Sequence, residues 1–353
     1  MNDARGALRS AGNRAWVGSR TTRERSARGE GITTFSCTNS AWSTLQVLKG
    51  TDNPSYLCVA RGGGTLYAVH GDGGTISAFS VQPDGTLVLL NQLDVGGRNP
   101  VHVIQSRSGR WLVVANYATG SVVTIGVEED GRLIGVQNLI ELPGQPGPHR
   151  QQQKGSHPHQ LAVHPVGGWI AVPDKGCDAI HAVALDEASG RLSHLAKTSV
   201  APASGPRHLV FSKDGRYAWI VLELTSQVLA ARVTVDGEFH AFQRLSTVPA
   251  SETGETTGSG ILLDPTGRAL FISNRGHGSV VRFALDPFTG ELSSPIWNDA
   301  GGRVPRFITF SPDGDVLVAN EDADTIVRLS PRTGIPPVIL THTGSPVCIV
   351  FQE

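Results

Sequence analysis

Short apolar stretches recur along the chain, and a turn rich in glycine or aspartate separates each from the next. In GPRHLVFSKDGRYAWIVLEL (205–224), two such stretches flank an Asp-Gly turn, a pattern that predicts a β-hairpin. Similar hairpins begin at NPSYL (53), NPVHV (99), HPHQL (157), TGSGI (257) and VPRFI (304), and SPVCIVF (345) starts a seventh. The first six starts lie 46 to 58 residues apart, so the chain is built from repeats.

A second series of turns gives the same count. An alternating strand that ends in a turn occurs six times, as GTISAFSVQPDG, GSVVTIGVEEDG, DAIHAVALDEASG, SQVLAARVTVDG, GSVVRFALDPFTG and DTIVRLSPRTG, and GEGITTFSCTN (29–39) supplies a seventh copy. Each repeat therefore contains about four strands, which is typical of a propeller blade. We predict an all-β fold, a seven-bladed β-propeller of four-stranded antiparallel blades.

The two ends of the chain together complete one blade. The C-terminus supplies only a first strand, whereas AWVGSR, GEGITTFSC and STLQVLKG near the N-terminus supply three strands without a leading one. Pairing of the N-terminal strands with the C-terminal strand would close the ring and remove its exposed sheet edges. We expect residues 14–353 to form this single domain and residues 1–13 to be a mobile tail.

Charge and composition restrict the possible partners. Thirty Lys and Arg residues stand against 31 Asp and Glu, a net charge of −1, which disfavours binding to nucleic acid or to a membrane surface. No run of 18 apolar residues and no signal-peptide core occurs, so a soluble cytoplasmic protein is expected. The four cysteines form no CxxC pair and are interpreted as buried apolar side chains. No cofactor and no obligate protein partner is predicted.

Polar residues collect at one end of the predicted hairpins. In an antiparallel hairpin the start of the first strand lies beside the end of the second, so Arg207 should lie close to Glu223. If the first strand of every blade lines the channel, such residues converge on one channel mouth, where a binding site is expected. The segment 142–160 enters the same mouth as a rim or lid. The residues placed there are Asn116, Tyr117, His157, His159, Asp174, Lys175, Arg207, His208, Glu223, Asn274, Arg275, His277, Arg306, Asn320 and Glu321.

Plainer interpretations exist for some of these residues. Arg207 and Glu223 are also consistent with a structural ion pair that fastens the hairpin. His157 and His159 have a spacing that could suit a metal, but no carboxylate or cysteine motif accompanies them, and no metal site is predicted. Walker, HExxH and GxSxG motifs do not occur.

Several segments together resemble one protein family. NPSYL, VVANYATGSV, SHPHQLAVHP, VPDKGCDAI, GPRHLVFSKDGRYAWIVLEL, SNRGHGSVV, VANEDADTIV and SPVCIVF are similar to segments of the lactonase family of seven-bladed propellers. That family includes bacterial 6-phosphogluconolactonases and fungal 3-carboxy-cis,cis-muconate cyclases. The resemblance runs from about Ala15 to Phe351, and it implies a propeller fold and an activity on a lactone ring.

The resemblance also implies which residues act. It assigns catalytic roles to His159 of HPH, Arg207 of GPRH, Glu223 after the next strand, and Arg275 of SNRGH. The chain departs from the family where relatives commonly have Asn-Glu and it has His70-Gly71 in one blade and Leu222-Glu223 in another, and again at Gly260, where an acidic residue is usual. The convergent side chains around the catalytic set are the predicted substrate-binding residues: His157, His208, Asn274, His277, Arg306, Glu321, Asn116 and Tyr117.

These residue types suit a small anionic lactone or carboxylate substrate. The expected activity is that of a 6-phosphogluconolactonase-like hydrolase of a sugar-acid lactone, acting without metal. His159 or Glu223 would be the general base, and Arg207 and Arg275 would bind the anion and neutralise the oxyanion. A cycloisomerase of the muconate-lactonizing type would use the same groups. A non-catalytic propeller that binds a protein is a third reading, which predicts an apolar rim rather than this one rich in His, Arg and Glu.

Overall fold

The computed structural model describes residues 13–330 and 334–352, and there 28 strands form seven four-stranded antiparallel sheets. The seven-bladed propeller is therefore confirmed. Asn13, placed in the tail by the sequence, is the first residue of β1. The rest of the predicted tail, 1–12, lies outside the described residues. Within the described ranges, no helix is both long enough and apolar enough to cross a membrane.

The closing blade combines the two ends of the chain in the order β28-β1-β2-β3, as predicted. Its strands are β1 (Asn13–Ser19), β2 (Gly31–Cys37), β3 (Trp42–Lys49) and β28 (Pro346–Phe351). β1 pairs antiparallel with both β2 and β28. A short 3-10 helix, Arg23–Arg25, lies in the loop between β1 and β2.

The other six blades follow in chain order. Blade 1 contains β4 (Pro54–Val59), β5 (Thr65–His70), β6 (Thr75–Val81) and β7 (Leu87–Asp94); blade 2 contains β8 (Pro100–Gln105), β9 (Trp111–Asn116), β10 (Ser121–Val127) and β11 (Leu133–Glu141); blade 3 contains β12 (Ala162–Val163), β13 (Ile170–Asp174), β14 (Ala179–Leu185) and β15 (Leu192–Ser199). Blade 4 contains β16 (Pro206–Phe211), β17 (Tyr217–Leu222), β18 (Gln227–Val233) and β19 (Phe239–Ser246), with a 3-10 helix, Glu223–Thr225, after β17; blade 5 contains β20 (Thr257–Leu263), β21 (Ala269–Arg275), β22 (Ser279–Leu285) and β23 (Leu292–Asp299); blade 6 contains β24 (Pro305–Phe310), β25 (Val316–Asn320), β26 (Thr325–Arg328) and β27 (Val338–His342).

The hydrophobic core lies between the blades. Buried apolar side chains form seven clusters, and each is built from two neighbouring blades. In the outermost strands, such as β3 and β7, only the first residue is buried and the others are exposed or partly buried, because these strands lie on the outside of the ring and meet water. Trp16 of the closing blade is fully buried and donates its indole N–H to the carbonyl of Gly85 in blade 1 at 2.9 Å. These clusters thus stabilise the ring at each junction between neighbouring blades.

A repeated turn brings side chains to the mouth where the innermost strands begin. In six blades, a residue preceding a proline accepts through its carbonyl oxygen a backbone hydrogen bond from the residue just after the second strand, at 2.8 to 3.1 Å. The six acceptors are Asn53, Asn99, His157, Gly205, Val304 and Ser345, and their donors are Gly71, Tyr117, Lys175, Glu223, Glu321 and Arg20, respectively. Each donor therefore occupies the same place in its blade, and all of them except Gly71 present a side chain there.

A second repeated feature turns the next residues toward the channel. The pairing of the first two strands shifts register directly after the leading proline in five blades, between Pro54 and Tyr56, Pro100 and His102, Pro206 and Leu209, Pro305 and Phe307, and Pro346 and Cys348. Such bulges re-aim side chains and are common beside functional sites. In blade 3 the interruption is larger: only a bridge between Pro158 and Asp174 precedes the two-residue β12, so the strand predicted from HPHQL is mostly irregular.

Candidate active site

A cavity of about 330 Å³ opens at this mouth. It is lined by Arg20, Arg25, Asn99, Val101, Tyr117, Gln152, His159, Lys175, Glu223, Thr257, Arg275 and Arg306. Most of these residues follow a leading proline or hold the repeated position after a second strand. The volume lies at the lower end of the range for small-molecule sites.

Glu223 is the centre of one wall. Its Oε1 accepts a hydrogen bond from Lys175 Nζ at 2.6 Å and lies 3.1 Å from Arg275 Nη2, and its Oε2 lies 3.0 Å from Arg207 Nε. We call these four residues the Glu223 cluster. Burial alone would raise the pKa of Glu223, but the charges of Arg275, Lys175 and Arg207 outweigh it and hold that pKa well below its usual value. The carboxyl group is therefore ionised and has little basicity.

Arg207 lies behind Glu223 and does not line the cavity. It is 3% exposed, and its Nη1 donates to the carbonyl of Ser259 at 2.9 Å. Burial lowers the pKa of Arg207 to about 9, and Glu223 opposes that decrease. Arg207 therefore forms an ion pair with Glu223 and positions it, as the plainer interpretation of the sequence held. The structure does not bring Arg207 to the cavity, where the oxyanion role expected of it would require it; Lys175 and Arg275 face the cavity instead.

His159 stands beside this cluster as an uncharged imidazole. Its backbone N–H donates to the carbonyl of Pro173 at 3.0 Å, and its Nδ1 is buried with no hydrogen-bond partner among the described residues. Burial, and after it the charge of Arg207, lowers the pKa of His159 well below its usual value. A neutral imidazole at the edge of a cationic cavity can accept a proton from a bound water.

Two of the predicted substrate-binding residues line the cavity, and three lie next to it. Tyr117 and Arg306 are in the wall. Glu321 lies 3.3 Å from Arg306 Nη1, and His157 stacks on Tyr117 with ring centroids 4.4 Å apart. His208 lies deeper in the channel, its ring centroid 5.2 Å from that of His159.

The structure does not bring Asn116, Asn274 and His277 to the cavity. The amide nitrogen of Asn116 donates to Ser121 Oγ at 3.2 Å, and Asn274 is bonded to the backbone and the hydroxyl of Thr247. His277 Nδ1 lies 2.7 Å from Ser279 Oγ. The two asparagines are the last or next-to-last residues of their strands, where their side chains turn into the sheet and satisfy buried polar groups.

The segment 142–160 forms part of the rim, as expected. Its Gln152 accepts a hydrogen bond from Lys175 Nζ at 2.9 Å, and its Gln153 donates to the carbonyl of Lys175 at 2.9 Å. Gly147 donates to the carbonyl of Gly176 at 2.8 Å. These contacts fix the rim on the turn that carries Lys175.

Replacing Gly176 by alanine should loosen this rim. A Cβ atom there would lie 1.8 Å from the carbonyl oxygen of Gly155, so one backbone must move. We expect a loss of about 1 to 3 kcal/mol in the free energy of unfolding, measured in urea. Gly64→Ala is the control, because no atom lies within 4 Å of its added Cβ. Equal stability of the two variants would contradict this account.

Arg20, Lys175 and Gln152 were not among the predicted site residues. Lys175 was placed at the mouth but given no role. Arg20 could have been found from the repeat, because AWVGSR of the closing blade aligns with the end of β17 and the following Glu223 in blade 4. No three His, Cys, Asp or Glu side chains of the described ranges are grouped so as to hold a metal ion.

Two larger cavities lie elsewhere. One of about 390 Å³ runs between the outer strands of blades 3 and 4 and is lined mainly by apolar side chains such as Leu229 and Phe239. The other, of about 560 Å³, lies among the turns around Arg61 and Asp130 at the opposite ends of the strands. Among the described residues, neither cavity has a buried ion pair in its lining. The charged mouth is thus the candidate active site.

Comparison with known proteins agrees with the fold. Residues 14–351 match the profile of the family described as Lactonase, 7-bladed beta-propeller. The chain belongs to this family. It is 30% identical over 335 residues to a 6-phosphogluconolactonase of Bacillus subtilis, covering 91% of this chain and 94% of that one. The lactonase-family resemblance drawn from the sequence is therefore confirmed.

Solved structures of lactonase-family propellers superpose over nearly the whole chain. A periplasmic gluconolactonase of Pseudomonas aeruginosa is 30% identical with a TM-score of 0.86, covering 97% of this chain and 99% of that one. A putative 6-phosphogluconolactonase of Bacteroides fragilis is 27% identical with a TM-score of 0.85, covering 98% and 99%. Members of the family thus include proteins described as acting on phosphorylated and on unphosphorylated lactones.

Proposed function

We propose that this protein hydrolyses a lactone of a sugar acid, of the 6-phosphogluconolactone type, at the cavity around Glu223. The observation that carries the proposal is the position of an uncharged imidazole, His159, in the same cavity as the Glu223 cluster. Lactone hydrolysis needs a base for water and positive charge for the oxyanion. The two solved relatives described above and the Bacillus subtilis enzyme, all named as lactonases, support the same reaction.

The proposed reaction uses protein groups throughout. Water attacks the lactone carbonyl carbon while His159 takes one of its protons, and the tetrahedral oxyanion is held by Arg275 and Lys175. When the oxyanion collapses, the ring C–O bond breaks and the imidazolium returns the proton to the leaving alkoxide. The product is an open-chain hydroxy acid, which ionises and releases one proton. His159 is the better base of the two predicted candidates, because three cations already neutralise Glu223.

The direct test is acid release in a pH-stat with freshly prepared 6-phosphogluconolactone, corrected for spontaneous hydrolysis. Turnover well above the spontaneous rate is expected. As a control, His240→Ala removes an exposed imidazole of β19 and should leave the rate unchanged. The absence of turnover with both this lactone and the unphosphorylated gluconolactone would contradict the proposal.

The pH dependence of kcat/KM should show that the pKa of His159 is lowered. Because its pKa is lowered, the imidazole remains an effective base below the ordinary histidine range, and kcat/KM should stay level down to about pH 6. A base with an ordinary pKa would already lose activity below about pH 6.5. Initial rates between pH 5 and 7.5, corrected for background, make the measurement. A decrease of about threefold from pH 7 to pH 6, which a base with a pKa of about 6.5 would give, would contradict a lowered pKa.

A further inference from the structure

A second group of cations lines the cavity from two blades that do not contribute to the Glu223 cluster. Arg20 and Arg25 belong to the closing blade and Arg306 to blade 6, whereas the Glu223 cluster comes from blades 3, 4 and 5. We call Arg20, Arg25 and Arg306 the second cation cluster. In the closed ring, blade 6 packs against both blade 5 and the closing blade, so Arg306 stands between the Glu223 cluster and Arg20, and Arg20 lies on the far side of the mouth.

Arg20 is the least compensated member of this cluster. It is 4% exposed, and its single ion pair within the described residues is a long one, with Nη1 3.4 Å from Asp72 Oδ2. Its Nε is buried and has no hydrogen-bond partner among those residues. Burial, and then the charge of Arg306, lowers the pKa of Arg20 to about 10. A buried guanidinium with a free donor is unusual, because burying such a group without partners is costly.

The neighbouring carboxylates are already engaged. Asp72 Oδ2 accepts hydrogen bonds from Arg25 Nε at 2.7 Å and from Asn53 Nδ2 at 3.1 Å, and Arg25 forms a second ion-pair contact with Oδ1. Glu321 lies 3.3 Å from Arg306. Two carboxylates therefore serve three guanidinium groups, and a positive charge remains at this wall.

Gly71 makes the room for Arg20. It occupies the repeated mouth position of blade 1, where five other blades carry Arg20, Tyr117, Lys175, Glu223 and Glu321. A Cβ atom at residue 71 would lie 2.5 Å from Arg20 Nη1 and 2.6 Å from Ser55 Oγ. Any side chain at this position would thus displace the guanidinium or the serine.

We infer that Arg20 and Arg306 form a second anion subsite, which binds a phosphate or carboxylate at the far end of a ligand whose first acid group lies at Lys175 and Arg275. Guanidinium groups suit both anions, since their planar donors match the oxygens of either. The ligand class is then a sugar acid with an anionic group at each end. This inference rests on the proposed function, from which it takes the lactone as the reacting form of the ligand.

Equilibrium binding tests the subsite without any turnover. The probes are gluconate, with one acid group, 6-phosphogluconate, with an added phosphate, and glucarate, with an added carboxylate, each titrated into the full chain by calorimetry. We expect at least one two-anion probe to bind about 10 to 100 times more tightly than gluconate, as charge-assisted hydrogen bonds allow. A preference for 6-phosphogluconate assigns a phosphate, and a preference for glucarate assigns a carboxylate.

Variants test whether the second cation cluster causes the preference for two-anion probes. Arg306→Gln removes one guanidinium of the second cation cluster, and Gly71→Ala displaces Arg20 without removing its charge. Each variant should reduce the preference for a two-anion probe over gluconate at least tenfold. Each should change the affinity for gluconate itself less than threefold. Arg328→Gln, at the other end of blade 6, is the matched control and should change neither. Circular dichroism checks folding of each variant.

Equal affinity for the three probes, or an equal loss for all of them in Arg306→Gln, would overturn the subsite. The two proposals fail separately. A two-anion preference in a protein that hydrolyses neither lactone refutes the hydrolase and supports the subsite. Hydrolysis with no such preference refutes the subsite alone.

Discussion

The His159→Ala variant is expected to lose about 10² to 10⁴ in kcat/KM for lactone hydrolysis, the usual contribution of a general base. His159 is an uncharged imidazole that lines the cavity beside the Glu223 cluster, and we propose it as the base. The variant keeps the cations that are proposed to bind the oxyanion, so the loss should fall on kcat and leave KM nearly unchanged. Progress curves in the pH-stat give both constants.

Three controls separate this role from packing. His159→Gln retains a polar side chain at the position but cannot act as a base near neutral pH, so it should be as impaired as the alanine variant. His240→Ala should be as active as the unmodified protein, since it is an exposed position on an outer strand. Urea unfolding should show that both His159 variants remain folded at the assay temperature. A His159→Ala variant with full activity would assign the proton transfer to another group.

The sequence predicts the fold well because the propeller is a repeat. Each blade carries its own hairpin turns, and a miscounted strand in one blade is corrected by the other six. The closure of the ring also followed from the sequence, since AWVGSR lacked a leading strand and SPVCIVF lacked the strands that follow. Blade 3 is the exception, because the bridge at Pro158 and the two-residue β12 do not follow from its apolar pattern.

The candidate site was predictable in its location but less so in its detail. The hairpin argument correctly placed Arg207, Glu223 and His159 at one mouth. It could not tell which side chains at a strand end turn into the sheet, as Asn274 does, and which face the cavity, because that depends on local bulges. Nor could it show that Arg207 lies behind Glu223, since sequence order does not report depth.

Arg20 shows a different limit. Its importance depends on what is missing around it: a carboxylate of its own and a side chain at residue 71. The pair His70-Gly71 was identified from the sequence as a departure from the family pattern. Only the structure shows that the space beside this glycine is filled by a guanidinium from the closing blade, which is distant in the sequence and adjacent in the ring.

The Glu223→Gln variant is expected to lose about 3 to 5 kcal/mol in the free energy of unfolding at pH 7, because it leaves buried cations without their shared anion. Glu223 is 6% exposed and contacts Lys175, Arg207 and Arg275. The amide that replaces it can accept hydrogen bonds but carries no charge. Urea unfolding at pH 7 gives the difference directly.

The pH dependence of that loss follows from the lowered pKa of Glu223 in the folded protein. Such a carboxyl group contributes its full stabilisation above its unfolded pKa of about 4.5, and loses it as the pH falls toward the lower folded value. The difference between the unmodified protein and Glu223→Gln should therefore be constant from pH 6 to 8 and decrease below about pH 4.5. Asp214→Asn, which breaks an exposed pair with Arg216, should have a much smaller effect at every pH, since water screens that pair.

The same substitution should strengthen the binding of simple anions. Once Glu223 no longer neutralises Lys175 and Arg275, a phosphate ion can take its place between them, so inorganic phosphate should inhibit and stabilise Glu223→Gln more than the unmodified protein. Thermal unfolding with increasing phosphate measures the effect at constant ionic strength. A variant as stable as the unmodified protein, with no greater response to phosphate, would mean that these cations do not depend on Glu223, and that the charge balance of this wall has another source.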